Sequence, residues 1–231
     1  MEIKPVPTRV FREGESLFHF LDLYLTDLAE RDIVVITSKV IALSQKRTAR
    51  YSLKEKERYI KKESCKVIKT DFCYLSFKDG EWCVNAGVDE SNAKGKIILL
   101  PKDPKIVALG VRHRLQKRCH LKNIGVIITD TRSVPLRLGT MGVALSWSGF
   151  EGFKNYIGKK DLFKKTFKYT QSNMADALAV AAVAVMGEGA EQIPVAIIRK
   201  APVDFSNRSF IHSSLSISPS KDLYRPVYII D

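Results

Sequence analysis

Apolar and polar positions alternate along the first third of the chain in a way that predicts helix, strand, helix. Residues Ser16–Glu30 place leucines and aromatics at helical spacing, and this predicts an amphipathic helix. Ile33–Thr37 is a short β-branched run that predicts a buried strand, and it leads directly into Ser38–Ser44, which reads as a helix. The charged segment Lys54–Ser64 has the pattern of a solvated helix.

The middle of the chain predicts strands on both sides of one further helix. Pro104 follows Asp103, and these two residues are typical of the first helical position and the N-cap of a helix that continues through Arg118. Lys78-Asp79-Gly80 predicts a turn between two of the strands. Strands are predicted over Cys73–Gly80, Glu81–Val88, Lys96–Pro101 and Asn123–Thr129.

The last third contains an alanine-rich helix between Asn173 and Gly189. Asn173 is placed to cap its start, and Gly187 is placed to end it with a left-handed backbone. A strand is predicted over Ile193–Arg199, and a last edge strand over Arg225–Asp231. Helices and strands therefore alternate, which predicts an α/β or mixed α+β protein, treated as a single domain over residues 1–231 with two lobes.

Charge and cysteine content narrow the functional classes only a little. The chain has 38 basic and 25 acidic residues, a net charge of +13, which fits either nucleic-acid binding or the attraction of anionic small molecules. Residues 45–70 hold ten of the basic residues against three glutamates, but acids are interleaved and a solvated helix face is favoured. The four cysteines show no CxxC spacing and are expected to be reduced and mostly buried.

No apolar run is long enough for a membrane helix and no leader pattern is present, so a cytoplasmic location is expected. The sequence also lacks GxGxxG and GxxxxGK[ST] motifs, so any nucleotide must be held in another way.

Three acids stand where predicted elements end: Asp89, Asp130 and Glu188. Carboxylates supplemented by a hydroxyl such as that of Thr131 are the ligands that Mg²⁺ or Mn²⁺ prefers. Asn92 is suited to hydrogen-bond a phosphate or ribose, and cations suited to polyphosphate are found at Lys39, Arg132 and Arg137. The alternative is that the three acids are unrelated turn residues, and the pattern alone leaves this open.

A longer resemblance changes that balance. The chain resembles the coenzyme F-420-0:L-glutamate (γ-glutamyl) ligase family over about residues 9–202, with 203–231 as a C-terminal extension. The motifs that carry it are REGESL (Arg12–Leu17), ITSK (Ile36–Lys39), AGVDESN (Ala86–Asn92), LLPKDP (Leu99–Pro104), GVIITDT with PLRLG (Gly125–Gly139), GKKDLF (Gly158–Phe163), MADALAVAA (Met174–Ala182) and VMGEGAEQIP (Val185–Pro194). Their order is more specific than any one of them.

The resemblance implies a family-specific α/β fold, an intertwined homodimer, and amide-bond formation between L-glutamate and an acid through an acyl-phosphate. It implies GTP or ATP as co-substrate and two divalent ions, Mg²⁺ or Mn²⁺, with K⁺ as a further candidate. The metal positions that it implies are Asp89, Asp130, Thr131 and Glu188, where the family typically has Gln in place of Glu188. The nucleotide-binding positions are Val10, Phe11, Ser38, Lys39, Asn92, Met186, Gly187, Gly189, Ala190 and Glu191, and the catalytic ones are Lys39 and Arg137.

The chain departs from the family pattern on the substrate side. Ser133-Val134 stands where the family has Gly-Arg, and Leu43 replaces a Lys that touches nucleotide in relatives. Trp147 adds an indole that would stack on a pterin if it lay in the pocket, or would simply pack in the core. The acceptor is therefore expected to be the deazaflavin precursor or a folate. A non-catalytic nucleotide-binding homologue and a basic nucleic-acid-binding protein remain as alternatives.

Overall fold

The computed structural model describes residues 1–207 and 215–227. In chain order the elements are β1 (Glu2–Val6), α1 (Leu17–Tyr24), β2 (Ile33–Thr37), α2 (Ser38–Ser44), β3 (Thr48–Arg50), α3 (Leu53–Glu63), β4 (Lys66–Lys69), β5 (Tyr74–Lys78), β6 (Glu81–Val84), β7 (Lys96–Ile98), α4 (Pro104–Cys119), β8 (Gly125–Ser133), β9 (Thr140–Ser148), β10 (Phe153–Asn155), β11 (Gln171–Asn173), α5 (Met174–Met186) and β12 (Val195–Arg199). Short 3₁₀ turns cover Asn85–Gly87, Pro219–Lys221 and Arg225–Val227.

A five-stranded mixed sheet in the order β1-β12-β2-β8-β9 forms the centre of the fold. Strands β2 and β8 are parallel neighbours, whereas the other three pairings are antiparallel. The four residues Ile33–Ile36 are fully buried, because helices cover both faces of this part of the sheet.

The two faces of the sheet pack against different helices. Alternate residues such as Val34 and Ile36 join a core with α1, α2 and α4, whereas Ile33 and Val35 join a core with α5. The alanines of α5 allow it to lie close to β9: a Cβ added to Gly142 would come 2.7 Å from the carbonyl oxygen of Ala179. Small side chains thus set the short distance between α5 and β9.

Residues 48–98 form a smaller unit inserted between α2 and α4, with a three-stranded sheet β4-β5-β6, the β3–β7 pair and α3. Its core is built around Ile60, Ile97 and Leu99. Glu63 accepts hydrogen bonds from Arg47 at 2.9 Å and from Lys78 at 2.7 Å, and this network ties α3 to its flanking strands. The insertion carries Asp89, one of the three acids that the sequence offers as metal ligands.

The basic segment of this insertion is a solvated helix face, as its charge pattern predicts. Within α3, Lys61 pairs with Glu57 and Arg58 pairs with Glu55, at one-turn spacings. Much of its positive charge is therefore balanced locally, which weakens the nucleic-acid interpretation.

Two turns project apolar side chains into solvent. Leu136 and Leu138 are fully exposed in the turn between β8 and β9, and Leu162 and Phe163 are nearly so in the long β10–β11 hairpin. Within residues 1–207 and 215–227, no helix is both long and apolar enough to cross a bilayer.

Most predicted helices are confirmed, but two helix ends differ from the prediction. Helix α1 ends at Tyr24 rather than Glu30. Carbonyl groups at a helix end lack partners within the helix, and here the Arg118 guanidinium donates to those of Asp22 and Leu25, so the helix can end at this point. Asp103 stands at the N-cap of α4, yet its backbone is left-handed and its side chain makes no capping bond. The caps predicted for α5 are confirmed: Asn173 accepts from the backbone of Asp176, and Gly187 has a φ of 78°.

Other expectations need correction. Of the four cysteines only Cys83 is buried, so the prediction that most are buried is wrong. Strand β7 stops at Ile98, three residues earlier than predicted; the Leu99 N–H still donates to the carbonyl of Arg47, and Pro101 has no N–H to continue the pairing. Of the predicted edge strand Arg225–Asp231, the first three residues form a 3₁₀ turn and the rest lies outside the described residues.

Candidate functional site

A cleft of about 460 Å³ opens at the end of β2, beside the inserted unit. Five segments that are far apart in sequence form its walls. They are the segment after β1, the β2–α2 junction, the loop after the Asn85–Gly87 turn, the middle of β8, and the loop between α5 and β12. The lining includes Thr8, Arg9, Val10, Phe11, Ser38, Lys39, Leu43, Asp89, Ser91, Asn92, Lys94, Asp130, Thr131, Met186, Gly187, Glu188, Gly189, Ala190, Glu191 and Gln192.

Asp89 enters the cleft on a loop, not at the end of a strand as its sequence context indicates. The chain leaves β6, passes through Asn85 and Ala86 with positive φ, and returns so that Asp89 pairs its backbone with Ile98. This backbone pairing fixes the position from which the carboxylate projects towards α2.

Three donors hold the Asp89 carboxylate. Lys39 Nζ donates to Oδ2 at 2.6 Å, Ser91 Oγ donates to the same oxygen at 2.7 Å, and the Ser91 backbone N–H donates to Oδ1 at 2.8 Å. Burial raises the pKa of Asp89, but these hydrogen bonds outweigh it and hold the pKa below its ordinary value. Asp89 is therefore an ionised group with a resident cationic partner.

Asp130 lies inside β8, which runs four residues further than predicted. The strand has a register shift between Ile128 and Thr129, and irregularities of this kind re-aim the side chains that follow. Asp130 Oδ1 accepts from the buried Ser38 hydroxyl at 3.2 Å. Burial, with a smaller contribution from the charge of Asp89, raises the pKa of Asp130 to about 6. The two aspartates thus belong to one electrostatic neighbourhood but differ in how well their charge is balanced.

The loop after α5 closes the opposite wall. Asn92 donates its amide to the carbonyl of Gly189 at 3.0 Å, which links the inserted unit to this loop. Glu191 accepts from the Gly189 N–H at 2.8 Å and folds the loop back on itself. Glu188 accepts a hydrogen bond from the Thr131 hydroxyl, and burial together with the charges of Asp89 and Glu191 raises its pKa.

The other end of the cleft is less polar. Val10, Leu43 and Ile193 line it, and Phe11 is buried there with its ring against Phe20. A site with an acidic, hydroxyl-bearing end and an apolar end suits a ligand that has a charged part and a flat ring part.

Three residues that the sequence suggests for the site do not line the cleft. Arg132 forms an ion pair with Glu81, so it does not serve as a free cation for phosphate. Arg137 is exposed in the turn after β8 and does not line the cleft. Trp147 is 4% exposed in the α5-side core, where it packs against Gly152 and Phe153, so of its two alternatives the structure shows core packing and not a ligand-stacking position.

A smaller cavity of about 150 Å³ shares Asp130 and Thr131 with the cleft and is lined on its far side by Cys83 and Arg132. Burial raises the pKa of the Cys83 thiol to about 11, which makes it a poor nucleophile at neutral pH. This thiol is a packing residue.

The donor set of the cleft fits a hard divalent cation, although the acids are not gathered into a ready ligand cluster. Asp89, Asp130, Glu188 and the Thr131 hydroxyl supply oxygen donors only, as Mg²⁺ and Mn²⁺ prefer. In the part of the chain that the structure describes, no three acidic, histidine or cysteine side chains lie together as a metal-binding group. The pKa values of Asp130 and Glu188 are raised, so their ionised forms are disfavoured. A bound cation would stabilise those ionised forms.

Ser91 is a site residue that sequence reasoning missed. Its hydroxyl and backbone both serve Asp89, and the hydroxyl and carbonyl also accept from Lys39, at 2.9 and 3.0 Å. The Asp-x-Ser spacing was the available signal, because a carboxylate commonly accepts from the backbone N–H two residues later.

Comparisons with known proteins show the family of the chain. A family model described as F420-0:gamma-glutamyl ligase matches residues 53–200. Proteins named coenzyme F420:L-glutamate ligase are similar to the chain. One from Methanocaldococcus jannaschii is 37% identical over 85% of this chain and 74% of its own, and one from Methanopyrus kandleri is 33% identical over 97% and 98%. One from Methanococcus maripaludis is 44% identical over 59% of this chain, and the match spans about half, 54%, of that relative's length.

The matched region contains Asp89, Asp130 and the loop after α5, which belong to three of the five walls of the cleft. The resemblance seen in the sequence is thereby confirmed. The chain belongs to the F420-0:gamma-glutamyl ligase family, a family of ligases.

Proposed function

We propose that the chain is a γ-glutamyl ligase that uses a nucleoside triphosphate and divalent metal to join L-glutamate to an acid acceptor. The observation that carries the proposal is the single cleft in which Asp89, Asp130 and Glu188 face Lys39 and the loop 186–192. A carboxylate is a poor electrophile, so the acceptor must first be activated, and the cleft combines the groups that phosphoryl transfer needs.

The chemistry proceeds in two steps. A carboxylate oxygen of the acceptor attacks the terminal phosphorus, the bond to the bridging oxygen breaks, and the nucleoside diphosphate leaves. The neutral amine of glutamate then attacks the acyl carbon, phosphate leaves with its electron pair, and the amine proton passes to solvent. Both steps depend on charge neutralisation and in-line placement more than on a protein nucleophile.

Each wall of the cleft has a part in this proposal. Lys39 faces the transferred phosphoryl group, and Asn92 with the loop Met186–Glu191 holds the nucleotide. The apolar end at Val10 and Phe11 accepts the base. Asp89, Asp130, Thr131 and Glu188 would hold one or two Mg²⁺ or Mn²⁺ ions, with K⁺ as a further candidate, and such ions supply charge neutralisation for the phosphates.

The acceptor is proposed to be the deazaflavin precursor, coenzyme F420-0, since the family is described by it and the relatives are named coenzyme F420:L-glutamate ligase. A folate is the second candidate, because residues of this chain near the cleft differ from the family pattern at Leu43 and Ser133-Val134. The burial of Trp147 removes one argument for a pterin ring, so the folate rests on the substitutions alone.

A two-lobed, intertwined homodimer in the cytoplasm belongs to the same proposal. The fully exposed Leu136 and Leu138 and the exposed Leu162 and Phe163 support it, because monomers seldom leave so many large apolar side chains in water. Any catalytic role of Arg137, which lies between the two exposed leucines, depends on this assembly, since the single chain leaves it outside the cleft. Light scattering at several protein concentrations tests the dimer.

A ligation screen tests the activity. The protein is incubated with L-glutamate, Mg²⁺ or Mn²⁺, GTP or ATP, and either F420-0 or a folate, and products are weighed by mass spectrometry. We expect a mass increase of one or more glutamyl units, lost in Asp130→Asn and kept in Asp71→Asn, an exposed position in the turn before β5. Nucleotide binding with no glutamyl product from either acceptor would instead support the non-catalytic homologue.

A further inference from the structure

The ammonium of Lys39 is bound to the same carboxylate oxygen that a cation would seek. Its contact with Asp89 Oδ2 is 2.6 Å long, and Ser91 Oγ donates to that oxygen as well. A carboxylate oxygen offers about two lone-pair directions, so both directions at Oδ2 are already engaged by donors. Oδ1 takes the Ser91 backbone N–H, which leaves this carboxylate with little free coordinating capacity.

The contact between Lys39 and Asp89 can also break readily. Its side chain is partly exposed, it arises from a short helix at the cleft wall, and its flexible stem presents a point charge rather than a fixed fork. A metal ion requires direct oxygen contacts at about 2.0–2.6 Å, which the ammonium and the ion cannot both make on one lone pair. Two positive charges at that spacing also repel each other.

We propose that Lys39 is an exchangeable counter-ion for Asp89: a divalent cation displaces its ammonium from Oδ2, and the released ammonium turns to an anionic group of the substrate in the same cleft. The inference rests on the proposed function and deepens it, because the binding of the cation is then what frees the Lys39 ammonium to contact a phosphate. Lys39 is then a positioning residue for Asp89 before the substrates are in place and a phosphate partner afterwards.

The exchange has a consequence for affinity that a purely structural salt bridge lacks. Removing the ammonium frees Oδ2, so a cation binds without displacing anything. Lys94 provides a matched control, because it lines the same cleft and forms no ion pair with Asp89, whose one recorded ion-pair partner among the described residues is Lys39. General electrostatics would act on both lysines, whereas competition for Oδ2 acts only at Lys39.

The test measures Mn²⁺ binding to the full chain without nucleotide. Calorimetry and the electron paramagnetic resonance signal of free Mn²⁺ are the two measurements. We expect Lys39→Met to bind Mn²⁺ at least tenfold more tightly than wild type, and Lys94→Met to stay within threefold. Equal or weaker binding by Lys39→Met, or the same change in both variants, overturns the exchange while leaving the proposed ligase intact. If neither wild type nor Lys39→Met binds Mn²⁺, the exchange and the metal part of the proposed function both fall.

A measurement on the unaltered chain keeps the inference testable if Lys39→Met fails to fold. In protein with ¹⁵N-labelled lysine, the Nζ resonance of an ammonium held in an ion pair is followed while Mg²⁺ is added, with Lys39→Gln used for assignment. We expect the Lys39 signal to shift or broaden in step with Mg²⁺ saturation and the Lys94 signal to remain in place. An unchanged Lys39 signal at saturating Mg²⁺ overturns the exchange.

Discussion

Asp130 is a buried carboxylate whose charge the protein balances poorly, and Asp130→Asn should therefore stabilise the fold while removing activity. Its pKa is raised from 3.8 to about 6. At about 1.4 kcal/mol per pKa unit, a shift of about two units amounts to about 3 kcal/mol by which the ionised group disfavours the folded state. The amide of the variant keeps the shape and an acceptor for Ser38, so few contacts are lost.

The sign of the effect sets the pH range. The unfolded chain ionises this group at a pKa of about 3.9, and the folded chain holds the proton up to about pH 6. The cost of ionising Asp130 is thus absent at low pH, grows as the pH rises between the two values, and is complete above the folded pKa. The advantage of Asp130→Asn should follow the same curve, from about 0.5 kcal/mol at pH 4 to about 3 kcal/mol at pH 7.5.

Urea unfolding of wild type and Asp130→Asn between pH 4 and 8, in the presence of a chelator, measures this difference. Asp71→Asn, in an exposed turn, should change the free energy of unfolding by under about 0.5 kcal/mol at every pH. A variant that is no more stable than wild type at pH 7.5, or a gain that does not vary with pH, would refute the view that Asp130 is held at an energetic cost for function.

Three further predictions concern the supports of the site. Glu63→Gln should lower the free energy of unfolding by about 2–4 kcal/mol at pH 7, because it leaves Arg47 and Lys78 without their shared carboxylate; urea unfolding measures the loss, and a change below about 0.5 kcal/mol would contradict it. Asn173→Ala should cost about 1 kcal/mol through loss of the α5 cap, measured by thermal unfolding, with an unchanged melting temperature as the contrary result. Gly152→Ala should cost about 1–3 kcal/mol, since its Cβ would lie 2.3 Å from the Trp147 indole; tryptophan fluorescence should shift with it, and native-like fluorescence and stability would argue against this packing.

The elements that could be predicted from the sequence are those whose signals are local. The β-branched run of β2, the capped alanine helix α5 and the charged helix α3 each carry their own periodicity or caps, and the structure forms all three. Strands β1 and β9 were not predicted. Strand β1 contains Pro5 and a lysine, and both strands stand at an edge of the main sheet, where only one side is paired and the apolar alternation is weak.

The site shows the same division. Family motifs indicated Asp89, Asp130 and the loop after α5, and the fold brings them to one cleft. Sequence reasoning did not reveal that Arg132 is engaged by Glu81, and it left open whether Trp147 is buried. Both depend on tertiary partners, and no pattern within a single segment records which partner a side chain will meet. The support that Ser91 gives Asp89 was also missed, although that contact is local and has a signal in the Asp-x-Ser spacing.

The inserted unit of residues 48–98 supplies one aspartate of the cleft, and β8 of the main sheet supplies the other. The distance between the two carboxylates therefore depends on how tightly the insertion packs against the main sheet. Damage confined to the insertion should first appear as weakened ligand affinity, well before the main sheet melts, because partial opening of one unit needs less free energy than global unfolding. Variants of the insertion that bind a ligand of the cleft poorly and yet melt at the normal temperature would be the sign of such loosening.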